Sequence, residues 1–298
     1  MERAQHAVLP DNRDPKRDYI PYDKRKLSYA GSFPDPRKAF LIRGIEWMTG
    51  KITLLRKVRQ FERGDVKEGA AFFPQALEAM GIDLVVPPER VEIIPKTGPL
   101  IVVANHPHGL VDGMVMADLI GRRRDDFVIL TRSLLSGVKE IRQFMLPVPF
   151  PHEQDALNES LKMRRKAMEH LKGGGVVILF PAGAVASSKT LFGPAVEKEW
   201  NPFTAKMIAR SGATVLPIYF PGQNSRAYLV ADHISPVLRQ GLLLHEVVHA
   251  LNKPQHPVVG DPLLPEDLKK WASNPRGFME WLRAHTLSLG GDPGAKKR

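Results

Sequence analysis

Two histidines and a carboxylate fall within seven residues in the run VVANHPHGLVDGM, Val102 to Met114. His106 precedes Asp112 by six positions, and His108 lies between them. An imidazole whose one ring nitrogen is held by a carboxylate takes a proton near neutral pH through the other, which suits it to general-base chemistry on a hydroxyl or amine. Gly109 and Gly113 let the backbone fold back so that the side chains meet. His106 and Asp112 are therefore the candidate catalytic residues, with His108 as the fallback base. Without chemistry, Asp112 reads as a helix N-cap and the histidines as surface hydrogen-bonding groups.

A second constellation is His245-Glu246-Val247-Val248-His249, which matches the HExxH zinc signature: two imidazoles one helical turn apart and a glutamate to activate water. A third ligand is not visible, Glu266 and Asp267 being possible but unsupported by any spacing. The metzincin continuation needs Gly where Asn252 stands and His where Gln255 stands, and His256 is one residue off. Pro254 and Pro257 end the helix, and Leu242, Leu243, Leu244, Val247, Val248 and Leu251 make it a packed one. No metal site is expected, and a zinc-dependent hydrolase is the alternative reading.

These residues need elements to position them. Ile101, Val102 and Val103 read as a buried strand, and Met114, Val115, Met116, Leu119 and Ile120 as the apolar side of a helix. The His–Asp loop thus sits at the carboxyl end of a strand, where open α/β sheets bind ligands and the first turn of the next helix offers unpaired N–H groups. Further strands are expected at Leu84 to Val86, Val91 to Pro95, Phe127 to Thr131, Val176 to Phe180 and Thr214 to Phe220. Helices are expected at Val66 to Met80, Ala156 to Lys172, Thr204 to Arg210, Pro265 to Trp271 and Arg276 to His285. Gly173, Gly174 and Gly175 end a helix before a strand, the reverse of a dinucleotide fingerprint, and read as a C-cap. The predicted fold class is α/β: a largely parallel central sheet flanked by helices, with a basic amphipathic helical N-terminal extension.

The 298 residues are 43% hydrophobic and 25% charged, enough for one sizeable core. A net charge of +11 favours an anionic partner. The absence of cysteine excludes disulfides, thiolate metal sites and a cysteine nucleophile, and allows a reducing compartment. Met1 to Lys26 lacks the apolar core of a signal peptide, and no 18-residue apolar run exists. From Arg37 to Arg63, Leu41, Ile45, Met48, Ile52 and Leu55 recur at spacings of four and three, with a break or bend at Gly50. Eight basic residues against two acids give this stretch +6, which suits the headgroups of anionic lipids, although the same apolar side also suits packing on the core. The expected organisation is a disordered start and membrane-associating helix over 1–64, an α/β domain over 65–289 and a disordered basic tail over 290–298. The expected location is cytoplasmic, peripheral on the inner face of the membrane.

The nonapeptide Asn105 to Gly113 resembles the first block of the glycerolipid acyltransferase superfamily, the lysophosphatidic-acid-acyltransferase-like enzymes, in the branch written NHPxGxxDG. Phe180 to Ser188, FPAGAVASS, is similar to the third block, and Pro221 to Ser225, PGQNS, to the fourth. Thr131-Arg132-Ser133 stands where the family places a basic residue after the second strand. The third block departs from the pattern: Ala182 and Ala184 replace charged residues and no arginine follows, leaving Lys189 as the nearest cation.

The resemblance implies transfer of an acyl group from a thioester, on coenzyme A or acyl carrier protein, to a lysophospholipid or related lyso-lipid, with no cofactor beyond that co-substrate. His106 would be the base and Asp112 its orienting partner, with N–H groups near Gly109 or Gly183 on the oxyanion. Asn105, His108, Gly109, Arg132, Pro181, Gly183, Lys189, Gln223 and Asn224 are the implied substrate-binding positions. The expected partners are the lipid acceptor, the acyl donor and a membrane surface, and not nucleic acid; a non-catalytic basic membrane-binding module is the remaining alternative.

Overall fold

The computed structural model describes residues 27–131, 138–149 and 155–291. Asp35 caps helix α1 (Pro36–Glu46) by accepting the Arg37 N–H, and Pro36 fills its first position. The chain then runs through a π turn, Trp47–Lys51, into α2 (Ile52–Glu62). Gly50 is thus not a break. The π turn presses it against the next layer so closely that a Cβ there would lie 3.0 Å from the Leu244 carbonyl oxygen.

After α3 (Phe72–Ala79) and α4 (Pro88–Glu92) comes the central strand β1 (Leu100–Ala104), followed by α5 (Leu110–Gly121) and β2 (Phe127–Thr131). Next in order are β3 (Met145–Pro147), α6 (Ala156–Lys172), β4 (Val176–Leu179), β5 (Ser187–Ser188), β6 (Ala195–Val196), α7 (Pro202–Ser211) and β7 (Thr214–Tyr219). Helices α8 (Arg226–Ile234), α9 (Pro236–Gly241) and α10 (Leu243–Ala250), strand β8 (Val258–Val259), and α11 (Pro265–Leu268) and α12 (Pro275–Ser288) complete the chain. The sheet order is β3-β2-β4-β1-β7-β8, parallel except for β8, and β5 pairs with β6 in a separate antiparallel hairpin. The fold is α/β.

β1 is apolar throughout because both sheet faces are covered. Leu100, Val102 and Ala104 point into a core shared with α3 and α5, and Ile101 and Val103 into one shared with α6, α7 and α12. The Leu, Ile and Val side chains among them each contribute about 1.5–3 kcal/mol on burial.

Two expected strands are absent. Val91 to Pro95 yields to α4, because Pro88 at a helix start and Glu89 in its first turn favour helix over the short apolar run. Leu84 makes only an isolated bridge to Gln255. The expected helix from Val66 begins at Phe72 after a 3₁₀ turn, since Gly69 sits at φ +75°. The Val102–Met114 helix opens at Leu110 and not after Gly113, which moves Asp112 from before the helix into its first turn.

Candidate active site

Asp112 is completely buried at the third position of α5, and the preceding loop wraps around its carboxylate. Oδ2 accepts from the backbone N–H of His108 at 2.8 Å and of Gly109 at 3.1 Å. The same oxygen lies 3.0 Å from His106 Nδ1, and Oδ1 lies 3.0 Å from His108 Nδ1. Gly109 makes the wrap possible at φ +72° and ψ −122°, backbone open to glycine and costly for other residues. Burial pushes the Asp112 carboxyl up, but the His108 charge and the hydrogen bonds from both imidazoles outweigh it and hold the group below the usual carboxylate range.

A second buried carboxylate, Glu197, reaches the same loop from the segment before α7. Its Oε2 accepts the His106 N–H at 3.1 Å and its Oε1 the Trp200 indole N–H at 2.9 Å, while Arg283 of α12 holds its carbonyl. Burial pushes the Glu197 carboxyl up, against the hydrogen bonds from Trp200 and His106. The His106 ring stacks on Phe180, with centroids 3.9 Å apart. Sequence reasoning missed Glu197 and Phe180: Glu197 and Glu199 look equivalent in VEKEW until the fold selects one.

His106 lines a cavity of about 330 Å³. Its lining includes the apolar side chains of Ile129, Leu130, Met145, Val148 and Met163 and the polar ones of Tyr29, Tyr228, Arg239 and Gln240. Gly109, Leu110, Pro181, Gly183, Ala184 and Val185 also line it. The loop after β4 is pinned at its far end to the histidine, since the Ala186 N–H donates to the His106 carbonyl at 2.9 Å.

Several of the other sequence-selected residues have structural partners. Asn105 is buried and its amide bridges both backbone groups of Phe220, at 2.8 and 2.7 Å, joining the ends of β1 and β7. Gln223 accepts the Ala195 N–H at 2.9 Å, and Asn224 is buried with its amide nitrogen unpaired among the described residues. The Gly109 N–H is used by Asp112 and the Gly183 N–H by the Phe180 carbonyl at 2.9 Å, so neither of these two N–H groups is open to an oxyanion. Lys189 is exposed beside β5, and Arg132 lies outside the described residues.

The HExxH run is helical in α10, and its polar groups hold the fold. Glu246 is buried, accepting the Ser225 N–H at 2.7 Å and hydroxyl at 2.6 Å where α8 begins. His245 Nδ1 lies 3.2 Å from the Thr49 carbonyl in the π turn, and His249 Nε2 lies 3.2 Å from Lys253 Nζ. Among the described residues no three His, Cys, Asp or Glu side chains form a group able to hold a metal ion.

A family model described as an acyltransferase matches residues 72–254. A lyso-glycine lipid O-acyltransferase of Bacteroides thetaiotaomicron is 27% identical over 165 residues, 53% of this chain and 56% of that protein. The protein of the same name from Phocaeicola vulgatus is 24% identical over 164 residues, 53% of this chain and 54% of that one. The chain thus spans about half the length of these curated relatives. The crystal structure of the 1-acyl-sn-glycerophosphate acyltransferase from Thermotoga maritima is 17% identical, covering 91% of this chain and 94% of that one at a TM-score of 0.48.

Proposed function

The chain belongs to the acyltransferase family, and on that premise we propose that it moves an acyl group from a thioester to a hydroxyl of a lyso-lipid, with His106 as general base. The observation that carries this is one imidazole lining the cavity while its Nδ1 is committed to a buried carboxylate. With Nδ1–H turned to Asp112, Nε2 is the nitrogen left to take the acceptor proton. The acceptor oxygen then attacks the thioester carbonyl. Collapse of the tetrahedral intermediate expels the thiolate, which receives that proton back from His106, so no acyl-enzyme and no resident cofactor enters. The first turn of α5 at Leu110, which lines the cavity and whose N–H has no intrahelical acceptor, is the candidate oxyanion donor. Coenzyme A or an acyl carrier protein supplies the thioester, and the test is purified protein with labelled acyl-CoA, acyl-ACP and a panel of lyso-lipids.

The acceptor belongs to the bulkier lyso-lipids, acylated amino acids among them, and a lyso-glycine lipid is what the relatives' name specifies. Gly183, Ala184 and Val185 offer the cavity no cation. Among the described residues its arginines are Arg239, paired with Asp232 at 3.0 Å, and Arg164, whose guanidinium lies over the Phe203 ring at 4.3 Å. A phosphate gripped by a bidentate arginine gains about 1.5–3 kcal/mol per charged hydrogen bond. Glycerol 3-phosphate should therefore show a kcat/KM at least about tenfold below that of lyso-lipids in competition. Its emergence as the preferred acceptor would refute this reading of the loop.

A lipid substrate calls for contact with a lipid surface, and α1 and the π turn carry one. Ala39, Ile42, Glu46 and Gly50 face inward, yet Met48 is 88% exposed, Phe40 73%, Leu41 57% and Trp47 51%. Arg37, Lys38 and Arg43 are exposed on α1, and Arg56 on α2 just beyond it. No helix among the described residues is long and apolar enough to cross a membrane. The stripe instead lies in the headgroup region of anionic lipids. Replacing Phe40, Trp47 and Met48 together by serine should weaken co-sedimentation with anionic vesicles by about 100-fold or more, from the apolar burial forgone, without unfolding the protein. Moderate salt should weaken the wild type only in part; unchanged binding of the triple variant would locate the membrane face elsewhere.

A further inference from the structure

The cavity is lined from both sides of the sheet. Arg239, Gln240 and Leu243 reach it from α9 and α10, the layer on which α1 and its exposed stripe rest and which packs on α5. Met163 and Arg164 of α6 and Phe203 and Thr204 of α7 reach it from the helices over the other core. On that second side α6 buries Met163, Ala167 and Leu171. The flank beside them carries Leu157, 74% exposed, and Leu161, 52% exposed, one turn apart, and continues with Arg164, Arg165 and Lys172. The Arg164 guanidinium lies over the Phe203 ring, so this flank runs beside α7, where exposed Lys206 and Arg210 share a helix face with Phe203. Helices α6 and α7 together hold seven Lys or Arg against two glutamates, and Glu159 is already taken by Lys162 at 2.7 Å. Arg165, Lys172, Lys206 and Arg210 are exposed and have no ion-pair partner among the described residues.

We propose that this flank of α6, with the adjoining face of α7, is the docking surface for an acidic carrier protein that delivers the acyl chain on its phosphopantetheine arm. This rests on the proposed acyl transfer. The two leucines supply an apolar centre at the cavity end, and the cations run on from them along both helices, a spread footprint that matches the acidic face of a small protein. The compact phosphates of coenzyme A call instead for donors converging on one point. A membrane is the poorer match, because the stripe of α1 that suits lipid rests on the opposite side of the sheet. With α1 on lipid, the acceptor enters from that side and a water-soluble donor from this one.

The affinity of the full chain for fluorescent palmitoyl-ACP, measured without acceptor or lipid, tests the surface directly. Arg165→Glu/Lys206→Glu/Arg210→Glu should weaken it by about tenfold or more, and Leu157→Ser/Leu161→Ser by about as much. Lys67→Glu/Lys96→Glu/Lys139→Glu makes the same change of charge on exposed lysines near the other core, and should leave the affinity within about threefold. All these positions are on the surface, so circular dichroism should show each variant folded. In turnover with lyso-glycine lipid, the α6–α7 charge reversal should raise KM for palmitoyl-ACP about tenfold or more at unchanged kcat, and keep kcat/KM for palmitoyl-CoA within about threefold. An equal loss with both donors would mean a general attraction for anions and overturns the proposal. So does wild-type protein with no measurable affinity for the carrier, an affinity unmoved by both α6–α7 variants, or a loss of vesicle binding in place of carrier binding. Carrier binding that follows the variants in a protein inactive on every lyso-lipid would instead strike the proposed reaction and leave the docking surface standing.

Discussion

His106→Ala should lower acyl transfer by about 10²–10⁴-fold, the usual contribution of a positioned general base, with the loss on kcat and not on KM. The imidazole leaves Asp112 with three of its four hydrogen-bonding contacts, from the His108 and Gly109 N–H groups and the His108 ring, so the wrapped loop keeps its anchor. The ring also gives up its stacking on Phe180, but it is partly exposed and belongs to neither main core, so thermal unfolding shifts only slightly. If the exposed stripe of α1 binds lipid as proposed, vesicle binding should stay at the wild-type level, because that stripe is untouched. That last readout separates an enzyme from a basic membrane-binding module, for which His106 would be immaterial to every measurable property. Wild-type turnover by His106→Ala would remove the base from this mechanism.

The part of this site that was legible in the sequence is the part that is local. An apolar run ending in a glycine-bearing loop with His and Asp six apart constrains a strand, a turn and a helix start, and those two side chains can find one another whatever the rest of the chain does. Glu197 meets His106 across 91 positions, and nothing in its own neighbourhood distinguishes it from Glu199. Asn105 illustrates the same limit: beside a catalytic histidine it reads as a ligand-binding amide, whereas its partner is a backbone 115 residues away.

Periodicity also has a blind side when a helix is apolar on two faces. Spacings of three and four residues mark Leu41, Met48 and Leu55 as one group, but the fold buries Leu55 and exposes Leu41 and Met48. The five-residue π turn is what rotates the register between them, and Gly50 permits it by taking a position against α10 that no side chain fits. The HExxH run shows the converse. Its apolar spacing correctly gave a packed helix, while the role of Glu246 as a cap on Ser225 depends on a turn that no local pattern foretells.

Asp112→Asn should cut turnover by about 10²–10⁴-fold while the protein stays folded. An amide of the same shape still offers an oxygen where Oδ2 receives the His106 ring and two backbone N–H groups. Its NH₂ end, however, meets His108 Nδ1 where Oδ1 accepted, so His108 must give up that proton and change tautomer. What the substitution removes for His106, in the proposed mechanism, is the negative charge that would stabilise its imidazolium in the transition state, and among the described residues no other carboxylate contacts its ring. Stability gives an independent readout with a definite sign. Because the folded Asp112 carboxyl is depressed, its contribution is fully present above the unfolded value of about 3.9 and is lost as pH falls through the lower folded value. The wild type should therefore lose this share of stability only in acid, below about pH 4, and Asp112→Asn should lack that limb of the curve. If Asp112→Asn transfers at the wild-type rate, the carboxylate merely ties the loop and the basicity of His106 must be supported from the Glu197 side, which Glu197→Gln would then reveal by abolishing turnover in its place.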